Sequence, residues 1–221
     1  MRYLDSHTHV QFAAFDNDRK EVIGRALESG VGLVNVGTQK DTSAAAAKLA
    51  ADYAEVFAAV GLHPIHTYST YHDKKELGAG RGFVSREERF DYSYYRNLAQ
   101  ADKVVAIGEC GLDYFRLPAE EKEIKARQRE VFEEQIKLAL ELKKPLMVHC
   151  RPSAKSEDAY LDLIEIIKPY LSRLSGFVAH FFAGSLETAK QLAELGAYFT
   201  FGGVITFASD YDEILKYLPR D

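Results

Sequence analysis

The stretch Asp5-Ser6-His7-Thr8-His9 places two imidazoles two residues apart in a short apolar run that reads as a strand. Side chains at i and i+2 of a strand point the same way. His7 and His9 therefore face one side, with Asp5 below them. Two imidazoles held on rigid backbone can form half of a metal site. Further along, His63, Glu109, His149 and His180 each stand where an apolar run gives way to polar residues. Five of the seven histidines end strands in this way, and the other two, His66 and His72, lie in a long irregular stretch. Taken singly, each has an ordinary reading as a salt-bridged carboxylate or a hydrogen-bonded core histidine. Together, His7, His9, His149, His180 and Glu109 form a set suited to divalent metal, with imidazole favouring Zn, Fe, Ni or Mn over Mg alone. Glu109 can bridge two ions, because its carboxylate has two oxygens to share.

The elements that must position these residues alternate between short apolar runs and helical segments. After the first strand, Arg19 to Ser29 predicts a helix stopped by Gly30, and Gly32 to Gly37 a second strand. An Ala-rich helix over Thr42 to Tyr53 precedes the strand Glu55 to Leu62. Residues 65–97 form a long loop insertion after the third strand, a charged, Tyr-containing binding loop or solvated excursion, and Tyr92 to Gln100 at its end predicts a short helix. The fourth strand, Lys103 to Gly108, leads into Glu109, and a long amphipathic helix spans Ala119 to Leu142. Pro145 to Val148 and Gly176 to Ala179 are strands ending at His149 and His180. Helices over Asp158 to Tyr170 and Ser185 to Leu195 follow them, then a strand from Ala197 to Phe201 and a helix from Tyr211 to Leu218.

Strand–helix alternation of this kind implies parallel strands with right-handed helical crossovers. A dinucleotide-binding sheet needs a Gly-rich loop after the first strand. His7-Thr8-His9 occupies that place, so an α/β TIM-type barrel is expected, with the polar strand ends converging on one rim. Alternation also predicts facing. If Glu109, His149 and Arg151 point inward, Cys110 and Cys150 point out toward the helices and act as small buried hydrophobes.

Composition bounds the function. The chain has 221 residues, 47% hydrophobic and 28% charged, with a net charge of -5. That excludes a generally basic nucleic-acid coat but leaves room for a phosphate-binding cleft whose positive charge is bound metal. The two cysteines form no secreted framework, and there is neither a leader-like N-terminus nor a membrane-length apolar run. A soluble, cytoplasmic monomer is expected unless an open barrel edge drives association.

The motifs DSHTH (5–9), GLHP (61–64), IGECGLDY (107–114), QREVFEEQIKLALELKKP (128–145), VHCRP (148–152) and HFFAG (180–184) resemble those of the TatD family of metal-dependent deoxyribonucleases, in the family's order and across nearly the whole chain. The resemblance implies a TIM-type barrel and two divalent ions, Mg, Mn or Zn. His7, His9 and Glu109 would hold one ion, and Glu109, His149 and His180 the second. Glu109 would be the catalytic bridge, and His63 and Arg151 would approach the substrate phosphate. It also implies phosphodiester hydrolysis in DNA at single strands or 3′ ends, by a metal-activated water. Loop aromatics such as Tyr68, Tyr71 and Tyr114 have two readings, stacking on an unpaired base and ordinary loop packing.

The family pattern further implies an eighth strand ending in an Asp, in a run like LETD. No such run follows Leu218, and Asp221 falls in the preceding turn. A single barrel domain over 1–221 is therefore expected, with seven strand–helix units, the eighth strand missing and activity weakened accordingly. Two alternatives stand beside the nuclease. One is an amidohydrolase acting on a C–N or C–O bond, disfavoured by Glu109 where those enzymes often carry a modified Lys. The other is a truncated, low-activity barrel that binds nucleic acid.

Overall fold

The structure, a computed structural model, describes residues 1–69, 71–72, 83–84, 86–118 and 121–218. Its sheet strands are β1 (Tyr3–Thr8), β2 (Val31–Val36), β3 (Val56–Val60), β6 (Val104–Asp113), β7 (Leu146–Arg151), β8 (Phe177–His180) and β9 (Ala197–Phe199). They hydrogen-bond in that order, every neighbouring pair parallel. The two-residue strands β4 (Tyr71–His72) and β5 (Phe83–Val84) form a separate antiparallel ribbon. The helices are α1 (Arg19–Glu28), α2 (Lys40–Ala51), α3 (Tyr92–Ala99), α4 (Glu121–Leu142), α5 (Asp158–Ile167), α6 (Leu186–Glu194) and α7 (Asp212–Tyr217). The expected α/β architecture is thus present as a curled seven-stranded half-barrel with helical crossovers. α5 and the last strand come out slightly shorter than expected, and α5 continues into a 3-10 turn over Lys168–Arg173. The charged stretch 73–82 and Asp221 lie outside the described residues.

Two apolar regions hold the sheet. The larger lies between sheet and helices. There α4 buries Ile124, Phe132, Ile136 and Ala139 along one stripe, against Ile107, Leu112 and Leu146. Two glutamines on the same buried face serve as pins. Gln135 accepts from Leu62 N–H at 2.9 Å and donates to Leu62 C=O at 3.0 Å, and Gln128 does the same for Asp113 at 2.8 and 2.9 Å. Backbone groups at the ends of β3 and β6, which have no strand partner there, are satisfied by these amides.

The smaller apolar region fills the inside of the curl: Val34, Val36, Ala59, Ala106 and Met147, with Phe57, Val105 and Val178. It floors the rim that carries the histidines. His149 lies two residues beyond Met147, and His180 two beyond Val178, so simple alternation turns both inward. Glu109 lies three residues beyond Ala106, and alternation would turn it out. A register shift between Gly108 and Cys110 in the pairing with β7 resets the face. Such a bulge adds one residue to one strand and re-aims the side chains beyond it. Glu109 then points in, while Cys110 is buried on the helix side beside Ile107. Gly111, at φ 132°, lets β6 run so close to β7 that a Cβ there would collide with the His149 carbonyl.

Candidate metal-dependent active site

The rim gathers five predicted histidines around one carboxylate. Glu109 is buried, and its two oxygens face different neighbours. Oε2 lies 3.3 Å from His7 Nε2 and 4.0 Å from His9 Nε2, and Oε1 lies 3.1 Å from His149 Nδ1 and 3.4 Å from His63 Nε2. The His180 ring stacks on His7 with centroids 3.3 Å apart. Potential ligand atoms of His7, Glu109 and His180 all lie within 4.8 Å of one another, as do those of His63, Glu109 and His149. This grouping differs from the one drawn from the family resemblance: His180 sits beside His7, and His63 beside His149.

Local structure sets each ring. His9 Nδ1 donates to the Val36 carbonyl at 2.8 Å, which turns Nε2 toward the cluster. His63 caps the short 3-10 turn Pro64–His66, its Nδ1 accepting from Ile65 N–H at 3.2 Å, so Nε2 faces Glu109. His180 Nδ1 lies 3.2 Å from the Thr200 hydroxyl. His149 is held at both nitrogens, by Glu109 and, at 2.9 Å from Nε2, by Asp113. Arg151 sits at the rim with its guanidinium 3.7 Å from the Phe115 ring centroid. Asp5 is exposed and accepts from the His7 backbone N–H, away from the cluster.

One buried carboxylate cannot keep all these imidazoles charged. Burial opposes ionisation of Glu109, but the nearby His63 and hydrogen bonds from His149, His63 and His7 hold its carboxyl well below the usual range. Burial also opposes charge on His149; the hydrogen bonds to Asp113 and Glu109 outweigh it and raise this imidazole to about 9. His180 is pushed down to about 3 by burial and then by His7, and burial lowers His9 and His63 as well. Neutral imidazoles are the form that binds metal. The Nδ1 of His7 is buried with no hydrogen-bond partner. Several lone-pair nitrogens around a carboxylate with both oxygens turned into the cluster fit a divalent metal centre.

A cavity of about 1240 Å³ opens over the cluster, its walls including Gln11, Phe12, Thr38, Gln39, Ile65, Arg151 and Phe181. Of the two readings of the loop aromatics, packing holds for those whose side chains are described. Tyr114 is buried, with its hydroxyl donating to Asp162 at 2.7 Å on the helix side, and Tyr68 is buried too; the side chain of Tyr71 lies outside the described residues. A phenol carries its polar tip on a large apolar body, so a Tyr beside a motif serves the core as readily as a ligand. Tyr114→Phe is accordingly expected to lower stability in urea by about 1 kcal/mol, the typical net worth of such a hydrogen bond, while leaving the KM for an oligonucleotide unchanged. The residue missed by sequence reasoning is Asp113. Its signal was available: once Glu109 faces in, so do the positions two and four residues on.

The chain is similar to known proteins in sequence and in fold. A family model described as TatD related DNase matches residues 4–221. An uncharacterized metal-dependent hydrolase, YabD of Bacillus subtilis, is 33% identical over 221 residues, 99% of this chain and 76% of its own length. The 3′-5′ ssDNA/RNA exonuclease TatD of Cronobacter turicensis is 34% identical over 199 residues, 88% of this chain and 64% of its own, so the match spans just under two thirds of that relative. Among solved structures, the TatD homologue YJJV from Escherichia coli superposes with a TM-score of 0.71 at 28% identity, covering 99% of this chain and 75% of that one. A TatD-family hydrolase from Entamoeba histolytica shares the fold with a TM-score of 0.76 at 21% identity, covering 99% and 71%.

Proposed function

The chain belongs to the TatD family, a family of metal-dependent hydrolases, and from that premise we propose that it hydrolyses phosphodiester bonds in DNA at single-stranded 3′ ends, using two divalent ions. The observation that carries this reading is Glu109, whose two carboxylate oxygens face two separate sets of imidazoles. His7, His9 and His180 with Oε2 would hold one ion, and His63 and His149 with Oε1 the other. When bound, such ions supply Lewis acidity, which acidifies a water toward a pKa of ~7 and neutralises charge on the in-line transition state.

The chain's own residues supply the rest. Glu109, kept ionised in a buried site, contributes the fixed negative charge that concentrates divalent cations there. His9 and His63 are pre-oriented by the backbone groups of Val36 and Ile65, so neither of these rings has to reorganise during turnover. Arg151, flattened on Phe115, presents planar donors to phosphate oxygens at the rim. Phe12 and Phe181 flank the cavity and suit the faces of unpaired bases. With an acidic chain overall, attraction for phosphate is local to this cleft. The exonuclease named among the relatives supports single-stranded nucleic acid as the substrate class. The two cysteines, both free and buried, suit a reducing, cytoplasmic setting.

The test is a panel of 5′-labelled single-stranded DNA, bis-nitrophenyl phosphate and a cyclic amide, each assayed with Mg²⁺, Mn²⁺ or Zn²⁺. Stepwise shortening of the DNA is expected, halted by chelator and restored by added metal. Turnover of the amide without any phosphodiesterase activity would replace the proposal with an amidohydrolase.

A further inference from the structure

We infer that Asp113 is a positioning residue that holds His149 in the tautomer able to bind metal through Nδ1. The inference rests on the metal-site reading above. Asp113 is not itself grouped with the potential ligands, nor does it line the cavity over the cluster. It lies behind His149, with Oδ2 2.9 Å from Nε2 on the side of the ring away from Glu109. A carboxylate at that place accepts a hydrogen bond from Nε2–H, so when a metal displaces the other ring proton, the lone pair is left on Nδ1, turned toward Glu109 and His63. Ligating histidines are commonly oriented by such a partner on their other nitrogen.

The carboxylate is itself fixed. Its Oδ1 accepts from Phe115 N–H at 3.0 Å, and the Asp113 backbone is clamped on both sides by the buried Gln128 amide. Asp113 and Arg151 are paired in the β6–β7 register, and the next residue, Tyr114, donates to the Arg151 carbonyl at 2.8 Å. Both ends of the Asp113–His149 contact are therefore attached to adjoining strands, and the ring cannot turn without one of these bonds breaking.

This arrangement gives Asp113→Asn a specific consequence. An Asn has one side-chain oxygen, and Phe115 N–H already requires it. The amide NH₂ then faces His149 Nε2, which must accept, and the ring proton moves to Nδ1. The lone pair directed at the metal position is lost without loss of volume and without disturbing the Gln128 clamp. Zn²⁺ titrated calorimetrically into purified protein should bind Asp113→Asn roughly 10–100-fold more weakly than the parent at one of two sites. ¹⁵N chemical shifts of Zn²⁺-loaded parent should show His149 protonated at Nε2.

The outcomes separate the two claims. A parent protein that binds no Zn²⁺ overturns the metal-site reading, and this inference with it. A parent that binds two ions while Asp113→Asn binds them equally well overturns the role of Asp113 alone. If Asp113→Asn does not fold, the parent spectrum decides: a His149 proton found on Nδ1 sinks the inference, and one on Nε2 sustains it.

Discussion

Glu109→Gln is expected to weaken Mn²⁺ binding at both positions and to lower kcat/KM on single-stranded DNA by roughly 10³-fold. The size follows from losing several kcal/mol of Lewis-acid stabilisation, where about 1.4 kcal/mol is a factor of ten. Gln keeps the volume of Glu, so the cavity and its floor persist. It removes the charge and replaces one ligand oxygen with an NH₂ aimed at the imidazoles. Because Oε1 and Oε2 serve different neighbours, both halves of the site are affected by the one change. Calorimetric titration with Mn²⁺, alongside steady-state kinetics, checks this. A variant that retains two tight ions would show that the carboxylate is not shared between them.

Gly111→Ala is expected to be the more damaging change to the fold. Gly111 sits at φ 132°, a conformation that L side chains rarely adopt, and the added methyl would run into the His149 carbonyl across the β6–β7 ladder. Backbone strain of this kind costs about 1–3 kcal/mol, and the collision adds to it. A total near 3 kcal/mol corresponds to a fall in melting temperature of roughly 6–12 °C for a chain of this size. Relief requires β6 and β7 to part locally, and Glu109 and His149 stand on those two strands. Metal affinity should therefore fall in the same variant even below its melting temperature. Differential scanning calorimetry and a Zn²⁺ titration at 15 °C measure the two effects; unchanged melting would disprove the close-approach argument.

Much of this was legible in the residues. Alternating apolar runs and helical stretches predicted a parallel sheet with crossovers, and polar residues at strand ends pointed to one rim. His149 and His180 follow the alternation of Met147 and Val178, so counting by twos suffices for them. Glu109 is different. Counted from Ala106 it would face the helices, and only the bulge beyond Gly108 brings it in. Periodicity is blind to one inserted residue, so Cys110 was placed on its correct side by assuming the answer for Glu109. The grouping of His180 with His7, and of His63 with His149, depends on how tightly the sheet curls, a property of twist and packing that no local spacing encodes. Tyr114 had two readings, stacking and packing, because a motif-adjacent phenol has the same sequence appearance in a core as at a ligand; its burial decides for packing.

The stacked rings of His7 and His180 join the first strand of the sheet to its sixth. In folding terms this is among the most non-local contacts in the chain. Closing so long a loop carries an entropic cost that nearest-neighbour strand pairs do not face, and topologies rich in such contacts reach the native state slowly. Helical signal from α4 should thus recover early in refolding, while ion-binding competence trails it. During synthesis, the grouping of His63, Glu109 and His149 has all its members once residue 149 has emerged from the ribosome, whereas that of His7, Glu109 and His180 waits for residue 180, so the two halves of the centre become available in sequence.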